Sequence, residues 1–87
     1  MTINLTDINI HDYENSLDLL NEYIAQHPED DNAYYFRGNI YRKMNLFGDA
    51  LNDYYKALEL NPQSEAAIAI EILNEILDFR NTDLLNP

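Results

Sequence analysis

Large apolar side chains recur along this chain at the spacing of an α-helix, in runs that end near prolines. The first run places one such residue on each turn, at Tyr13, Leu17, Leu20 and Ile24. Spacings of three and four residues put these side chains on one face of a helix. Because proline cannot continue a helix and biases the preceding residue against one, Pro28 and Pro62 mark helix ends. The pattern predicts helices over about 12–26, 31–44, 47–60 and 64–79. No stretch alternates as a half-buried strand does, so we predict an all-α fold.

The chain repeats itself with a period of 34 residues. Pro28 and Pro62 are separated by that distance, and the residues before each proline match at the same offset. The matched pairs are Tyr13 with Phe47, Leu17 with Leu51, Leu20 with Tyr54, and Ile24 with Leu58. Periods of this length are typical of stacked helical hairpins. One helix is therefore present twice in the sequence.

Residues 31–64 place aromatic, small and proline residues in a fixed order, at Tyr34, Gly38, Tyr41, Ala50, Tyr54, Ala57 and Pro62. In these positions the segment resembles one complete tetratricopeptide repeat. Gly38 and Ala50 are small where the two antiparallel helices of such a repeat approach closely. Arg37 stands where the family has an apolar residue, so we expect its stem to pack while its charged head reaches solvent.

The resemblance implies an antiparallel helix-hairpin array in a single domain, and 87 residues leave no room for a second domain. We divide the chain into an N-terminal arm (1–11), the second half of a preceding repeat (12–28), a complete repeat (31–64), a C-terminal capping helix (64–79) and a tail (80–87). Ser64 is the predicted N-cap of the capping helix. Residues 1–11 are open to two interpretations, a helix or an extended arm.

The composition argues against several classes of function. Sixteen acidic residues against five Lys and Arg give a net charge of −11, which disfavours nucleic acid and anionic membrane surfaces as partners. There is no cysteine, which excludes a disulfide framework and a thiol nucleophile. No stretch is typical of a signal peptide or a membrane span, so we expect a cytoplasmic protein.

Residues suited to catalysis are sparse. His11 and His27 are sixteen residues apart, which corresponds to roughly 24 Å along a straight helix. The acidic run at 29–32 lacks the spacing of a calcium loop and suits helix capping instead. Neither a phosphate-binding loop nor a nucleophile elbow is present. We therefore expect no catalytic residue, no metal, no cofactor and no enzymatic activity.

The resemblance implies protein–protein interaction, as an adaptor or scaffold that binds a protein or peptide segment. In the family, the first helix of each repeat lines a concave surface. Here that surface would present Asn32, Tyr35, Asn39 and Arg42, with Ala66, Ala69 and Leu73 on the adjoining helix. Because Tyr35 and Ala69 stand where the family's carboxylate clamp has cations, we do not predict that clamp.

The last helix is more apolar than docking on its own domain requires. Its apolar residues spread over about 200° of the helical wheel, whereas a stripe somewhat wider than 100° is enough for a surface helix. The arm, the tail or another chain would each cover the excess, and the sequence leaves these three open. Another chain implies an alternative function, a homodimer formed through this helix or the half repeat. Its predicted contacts are Ile68, Ile70, Ile76 and Phe79.

Overall fold

The computed structural model describes residues 12–85, with side chains described for residues 12–78. It contains four α-helices: α1 (Tyr13–Gln26), α2 (Asp31–Lys43), α3 (Phe47–Leu60) and α4 (Ala66–Leu85). Residues 12–85 include no strand, so the predicted all-α fold is confirmed. The bounds of the first three helices are correct to within one residue. The fourth continues through the first six residues of the predicted tail, and the predicted arm lies outside the described residues.

Side-chain caps and a left-handed turn residue set the helix ends. Asp30 Oδ1 accepts a hydrogen bond from the backbone N–H of Asn32 (3.0 Å), and the Ser64 hydroxyl accepts one from the N–H of Ala66 (3.1 Å). The predicted N-cap at Ser64 is therefore confirmed. Between α2 and α3, Asn45 has φ 63°, a conformation that asparagine tolerates better than most residues. The following N–H, of Leu46, bonds back to the carbonyl of Tyr41 (2.9 Å), which satisfies the end of α2 as a Schellman motif does.

Helices α2 and α3 form an antiparallel hairpin. The start of α2 meets the end of α3, where Asn61 Nδ2 donates to Asp31 Oδ2 (3.1 Å). At mid-hairpin, the ring of Tyr54 lies directly over Gly38. A Cβ on that glycine would be 2.7 Å from Tyr54 Cε1 and 3.3 Å from the carbonyl oxygen of Ala50. The predicted close approach of the two helices at Gly38 is confirmed.

One continuous core joins the four helices. Its buried apolar side chains are Leu20 and Ile24 of α1, Ala33, Tyr34 and Ile40 of α2, Ala50, Tyr54 and Ala57 of α3, and Ala66, Ile70 and Leu73 of α4. Tyr54 is the largest of its fully buried side chains. Each helix contributes a stripe and not a whole surface, as in stacked helical layers.

The head of Arg37 is only partly exposed, because it forms an ion pair that the sequence did not predict. Its Nε and Nη2 donate to the two carboxylate oxygens of Asp53 at 2.8 and 2.7 Å, and its Nη1 donates to Asn21 Oδ1 at 2.9 Å. Asp53 is only 5% exposed, and a buried carboxylate requires a paired charge. The hydrogen bonds to Asp53 raise the pKa of Arg37 above its ordinary value. One guanidinium therefore links α1, α2 and α3.

Helix α4 does not bury the face that its alignment with α2, 34 residues earlier, predicts. In α2, Ala33 and Ile40 are buried, and their equivalents one period later, Ala67 and Asn74, are exposed. The residues of α4 that enter the core are Ala66, Ile70 and Leu73, with Leu77 partly buried against them. Asn74 explains the change, because an unpaired amide in the place of Ile40 would be costly to bury. Relative to α2, the buried face is displaced by about one residue, or about 100° around the helix axis.

Candidate functional site

A groove of about 270 Å³ lies between α2 and α4. Its lining residues are Tyr35, Asn39 and Arg42 of α2, and Glu65, Ile68, Ala69 and Ile72 at the start of and along α4. The three α2 residues are spaced by four and three, so they share one face of the helix. The α4 residues face the groove because that helix turns Ala66 and Leu73 into the core. The groove therefore has one polar and aromatic wall and one mainly aliphatic wall.

Tyr54 fixes the orientation of Asn39 on the polar wall. The Tyr54 hydroxyl donates to Asn39 Oδ1 at 2.6 Å, which leaves the amide nitrogen and its two donor hydrogens for other partners. Burial raises the pKa of Tyr54 above its ordinary value, while the nearby Arg42 acts in the opposite direction. The phenol therefore remains protonated near neutral pH and can hold Asn39 in place.

Arg42 contributes the positive charge of the groove. Its Nε is buried and has no hydrogen-bond partner. No carboxylate in residues 12–78 forms an ion pair with it. The guanidinium also lies beside the Tyr54 hydroxyl, and its remaining N–H groups can donate to an acceptor supplied from outside.

Tyr35 is supported by neighbouring rings. Its ring centroid lies 6.0 Å from that of Tyr54 and 5.9 Å from that of Phe36, in tilted arrangements. Aromatic pairs at these distances are favourable and restrict ring motion. An aromatic residue held in this way loses little conformational entropy when it contacts a ligand.

Comparison with known proteins identifies the segment that carries the polar wall. Residues 32–64 match the family model of the tetratricopeptide repeat. These residues form a tetratricopeptide repeat. No curated protein and no solved structure matches the chain. The resemblance predicted from Gly38, Tyr54 and Pro62 is thus confirmed, and tetratricopeptide repeats generally mediate protein–protein interactions.

The structure brings together only part of the predicted partner-binding set. Three of the predicted residues, Tyr35, Asn39 and Arg42, belong to the tetratricopeptide repeat and line the groove. A fourth, Ala69, faces them from α4. Asn32 is exposed at the start of α2 but is not part of the lining. Ala66 and Leu73 do not line the groove either, because both are fully buried in the core. Their places are taken by Glu65, Ile68 and Ile72, which the sequence analysis did not assign to the groove.

The residues predicted for self-association do not form one surface. Ile70 is buried in the core between α3 and α4, so its assignment to an interface between chains is wrong. Ile76 is half-buried, and the side chain of Phe79 lies outside the described residues. Ile68 is 62% exposed and belongs to the groove. The described part of α4 therefore exposes an apolar stripe made mainly of Ile68 and Ile72.

The turn after α1 holds a second polar cluster. The Tyr23 hydroxyl donates to Asp30 Oδ2 at 2.5 Å, and this bond raises the pKa of Tyr23. The ring of His27 lies 4.5 Å from that of Tyr23.

Within residues 12–78, no group of three His, Cys, Asp or Glu is placed to hold a metal ion. None of the helices in the described part of the chain combines the length and apolar character that a membrane crossing requires.

Proposed function

We propose that the protein is a non-catalytic adaptor or scaffold that binds a segment of a partner protein in the groove between α2 and α4. The observation that carries this proposal is the exposure of Ile68 (62%) and Ile72 (47%) opposite the tetratricopeptide-repeat residues Tyr35, Asn39 and Arg42. Large apolar side chains gathered on a surface beside polar groups are typical of interaction sites.

The two walls suit different parts of a bound segment. An apolar side chain of the partner would lie between Ile68, Ile72 and the ring of Tyr35, where it would lose contact with water. The Asn39 amide and the Arg42 guanidinium would donate hydrogen bonds to carbonyl or carboxylate oxygens of the same segment. The apolar contact supplies most of the affinity and the donors fix the position of the segment.

Removing the polar wall tests the proposal. A library of random twelve-residue peptides displayed on phage is selected on the folded protein, and the selected peptides are then measured against Tyr35→Ala, Asn39→Ala and Arg42→Ala combined. We expect at least about tenfold weaker binding, because an aromatic anchor and two donors are lost. Circular dichroism and urea titration check that this variant is folded.

A matched set of residues on α3 provides the control. On α3 of the same hairpin, Asn52, Tyr55 and Lys56 likewise offer an amide, an aromatic ring and a cation away from the groove, with Tyr55 54% exposed. Their combined replacement by alanine should leave binding unchanged. If both triple variants weaken binding equally, or if neither weakens it, the groove between α2 and α4 is not the binding site. Ile68→Ser with Ile72→Ser, at two exposed positions, tests the other wall without opening the core.

A further inference from the structure

The charged residues of the groove lie at its two ends. Helices α2 and α3 are antiparallel, and α4 packs back along α3 after the turn at 61–65. Helices α2 and α4 therefore run in the same direction. Glu65 precedes the first residue of α4, whereas Arg42 lies in the last turn of α2 and is followed by the exposed Lys43. One end of the groove is negative and the other is positive.

The middle of the groove is uncharged. Tyr35 and Asn39 occupy it on α2, and Ile68, Ala69 and Ile72 face them from α4. The seven residue steps from Tyr35 to Arg42 correspond to about 10 Å along the helix axis. An extended chain covers that distance in about three residues. The groove is therefore long enough for one apolar side chain with a charged residue on either side of it.

The positive end of the groove offers hydrogen-bond donors as well as charge. Arg42 lines the groove without an ion-pair partner among residues 12–78, and the Asn39 carbonyl is already taken by Tyr54. Both side chains thus present donors, and a carboxylate is the acceptor that satisfies a guanidinium best. At the other end, Glu65 would repel that carboxylate and attract a base. Charges placed in this way select orientation and exclude wrong partners more than they add affinity.

From this arrangement we propose that the groove binds a segment with a basic residue, an apolar residue and an acidic residue in a fixed order. The acidic residue lies at the Arg42 end and the basic residue at the Glu65 end, so the segment binds in one direction. This inference rests on the proposed function, because it names the chemistry of the segment that the groove accepts. The net charge of −11 agrees with a partner surface that is basic outside the segment itself.

Exchanging the two charges of the groove tests the order. The same library of random twelve-residue peptides is selected on the wild-type protein, and we expect the bound sequences to share one order of basic, apolar and acidic residues. A selected peptide should bind at least about tenfold more weakly to Arg42→Glu combined with Glu65→Lys, because two attractions become repulsions. The same peptide with its basic and acidic residues exchanged should bind that variant better than it binds the wild type. Both proteins have the same net charge.

An equal exchange on α3 is the control. Lys56 and Glu59 form an exposed pair at 3.7 Å, and Lys56→Glu with Glu59→Lys should not change the affinity of either peptide. Glu65→Lys alone, at an exposed position, keeps the test valid if replacement of Arg42 disturbs the fold. It should lower the affinity of the selected peptide and raise that of its charge-exchanged form.

The outcomes separate this inference from the proposed function. Peptides that require Ile68 and Ile72 but bind the charge-exchanged groove equally well would overturn the fixed order and leave the proposed function intact. If no selected peptide depends on either wall of the groove, both are overturned. Peptides enriched without a common order of charges would also overturn the inference.

Discussion

At the scale of single residues, Gly38 shows how one side chain fixes the geometry of the hairpin. Nothing but hydrogen fits between its Cα and the ring of Tyr54, since an added Cβ would lie 2.7 Å from Cε1 and 2.8 Å from Cδ1. Gly48, at the second position of α3, has no atom within 4 Å of an added Cβ. The two glycines therefore differ in packing although both lie in helices.

We predict opposite effects for alanine at these two positions. Gly38→Ala should lower the free energy of unfolding by about 1–3 kcal/mol, because overpacking against Tyr54 outweighs the gain in helix propensity. Gly48→Ala should raise it by up to about 1 kcal/mol, because only the propensity term operates. Urea titrations of the two variants measure both values. Equal effects of the two substitutions would mean that α2 and α3 do not approach closely at Gly38.

The ion pair between Arg37 and Asp53 is the residue-scale feature that the sequence did not reveal. Arg37 was recognised as a departure from an apolar family position, but its partner lies sixteen residues away and faces it only in the correct hairpin register. The spacing of apolar residues predicts that register only approximately. The signal in the sequence is the carboxylate of Asp53, which lies on the inner face of α3 one residue before the buried Tyr54.

Removing one partner of this ion pair should lower the free energy of unfolding more than replacing both partners by leucine. Asp53→Leu alone should destabilise the fold by about 2–4 kcal/mol, because it leaves the guanidinium of Arg37 without its charge partner. Arg37→Leu with Asp53→Leu should come close to the wild type, because an aliphatic pair needs no compensation for desolvation. A double-mutant cycle of urea midpoints measures the coupling. Additive effects of the two single substitutions would show that the pair contributes nothing to the hairpin.

At the scale of helices, the 34-residue period predicts where each helix lies but not which face α4 buries. The period assumes that equivalent positions have equivalent environments, and this holds for α3 as a copy of α1, with Leu20 and Tyr54 both buried. In α4, Asn74 replaces the buried Ile40, and the helix buries Leu73 instead. This one polar residue explains why Ala66 and Leu73 were misplaced in the groove. The same rotation of α4 about its axis brings Ile68 and Ile72 to the surface that faces α2.

Neighbouring residues of α4 test its orientation. Leu73 is fully buried and Ile72 is 47% exposed. We predict that Leu73→Ala costs about 2–5 kcal/mol through loss of burial and a cavity, whereas Ile72→Ala costs less than about 1 kcal/mol. Urea titration of the two variants measures both losses in the free energy of unfolding. The reverse order would restore the face that the repeat period predicts and remove Ile72 from the groove.

At the scale of the whole molecule, one complete repeat is held between two single helices. Arrays of this kind usually require about three repeats for stability, because each unit buries its apolar face only against its neighbours. Here α1 covers one side of the complete repeat, and α4 covers the other with Ala66, Ile70 and Leu73. The sequence predicted this order of helices. It left open what covers the excess apolar surface of α4, and the structure places part of that surface in the core and part in the groove.

Charge decides what we expect of the remaining exposed surface. Two copies that met through Ile68 and Ile72 would bring together two chains that each carry a net charge of −11. Such repulsion opposes an interface whose apolar centre is only two isoleucines. We therefore predict a monomer with a mass near 10.2 kDa, measured by light scattering behind a sizing column over a tenfold range of concentration. High salt screens this repulsion, so the measurement is repeated at raised ionic strength; the mass should stay the same there, because two isoleucines bury too little apolar area to hold a dimer. A mass near twice this value that returns to the monomer value in Ile68→Ser with Ile72→Ser would place a second copy in the groove and displace the peptide as its natural occupant.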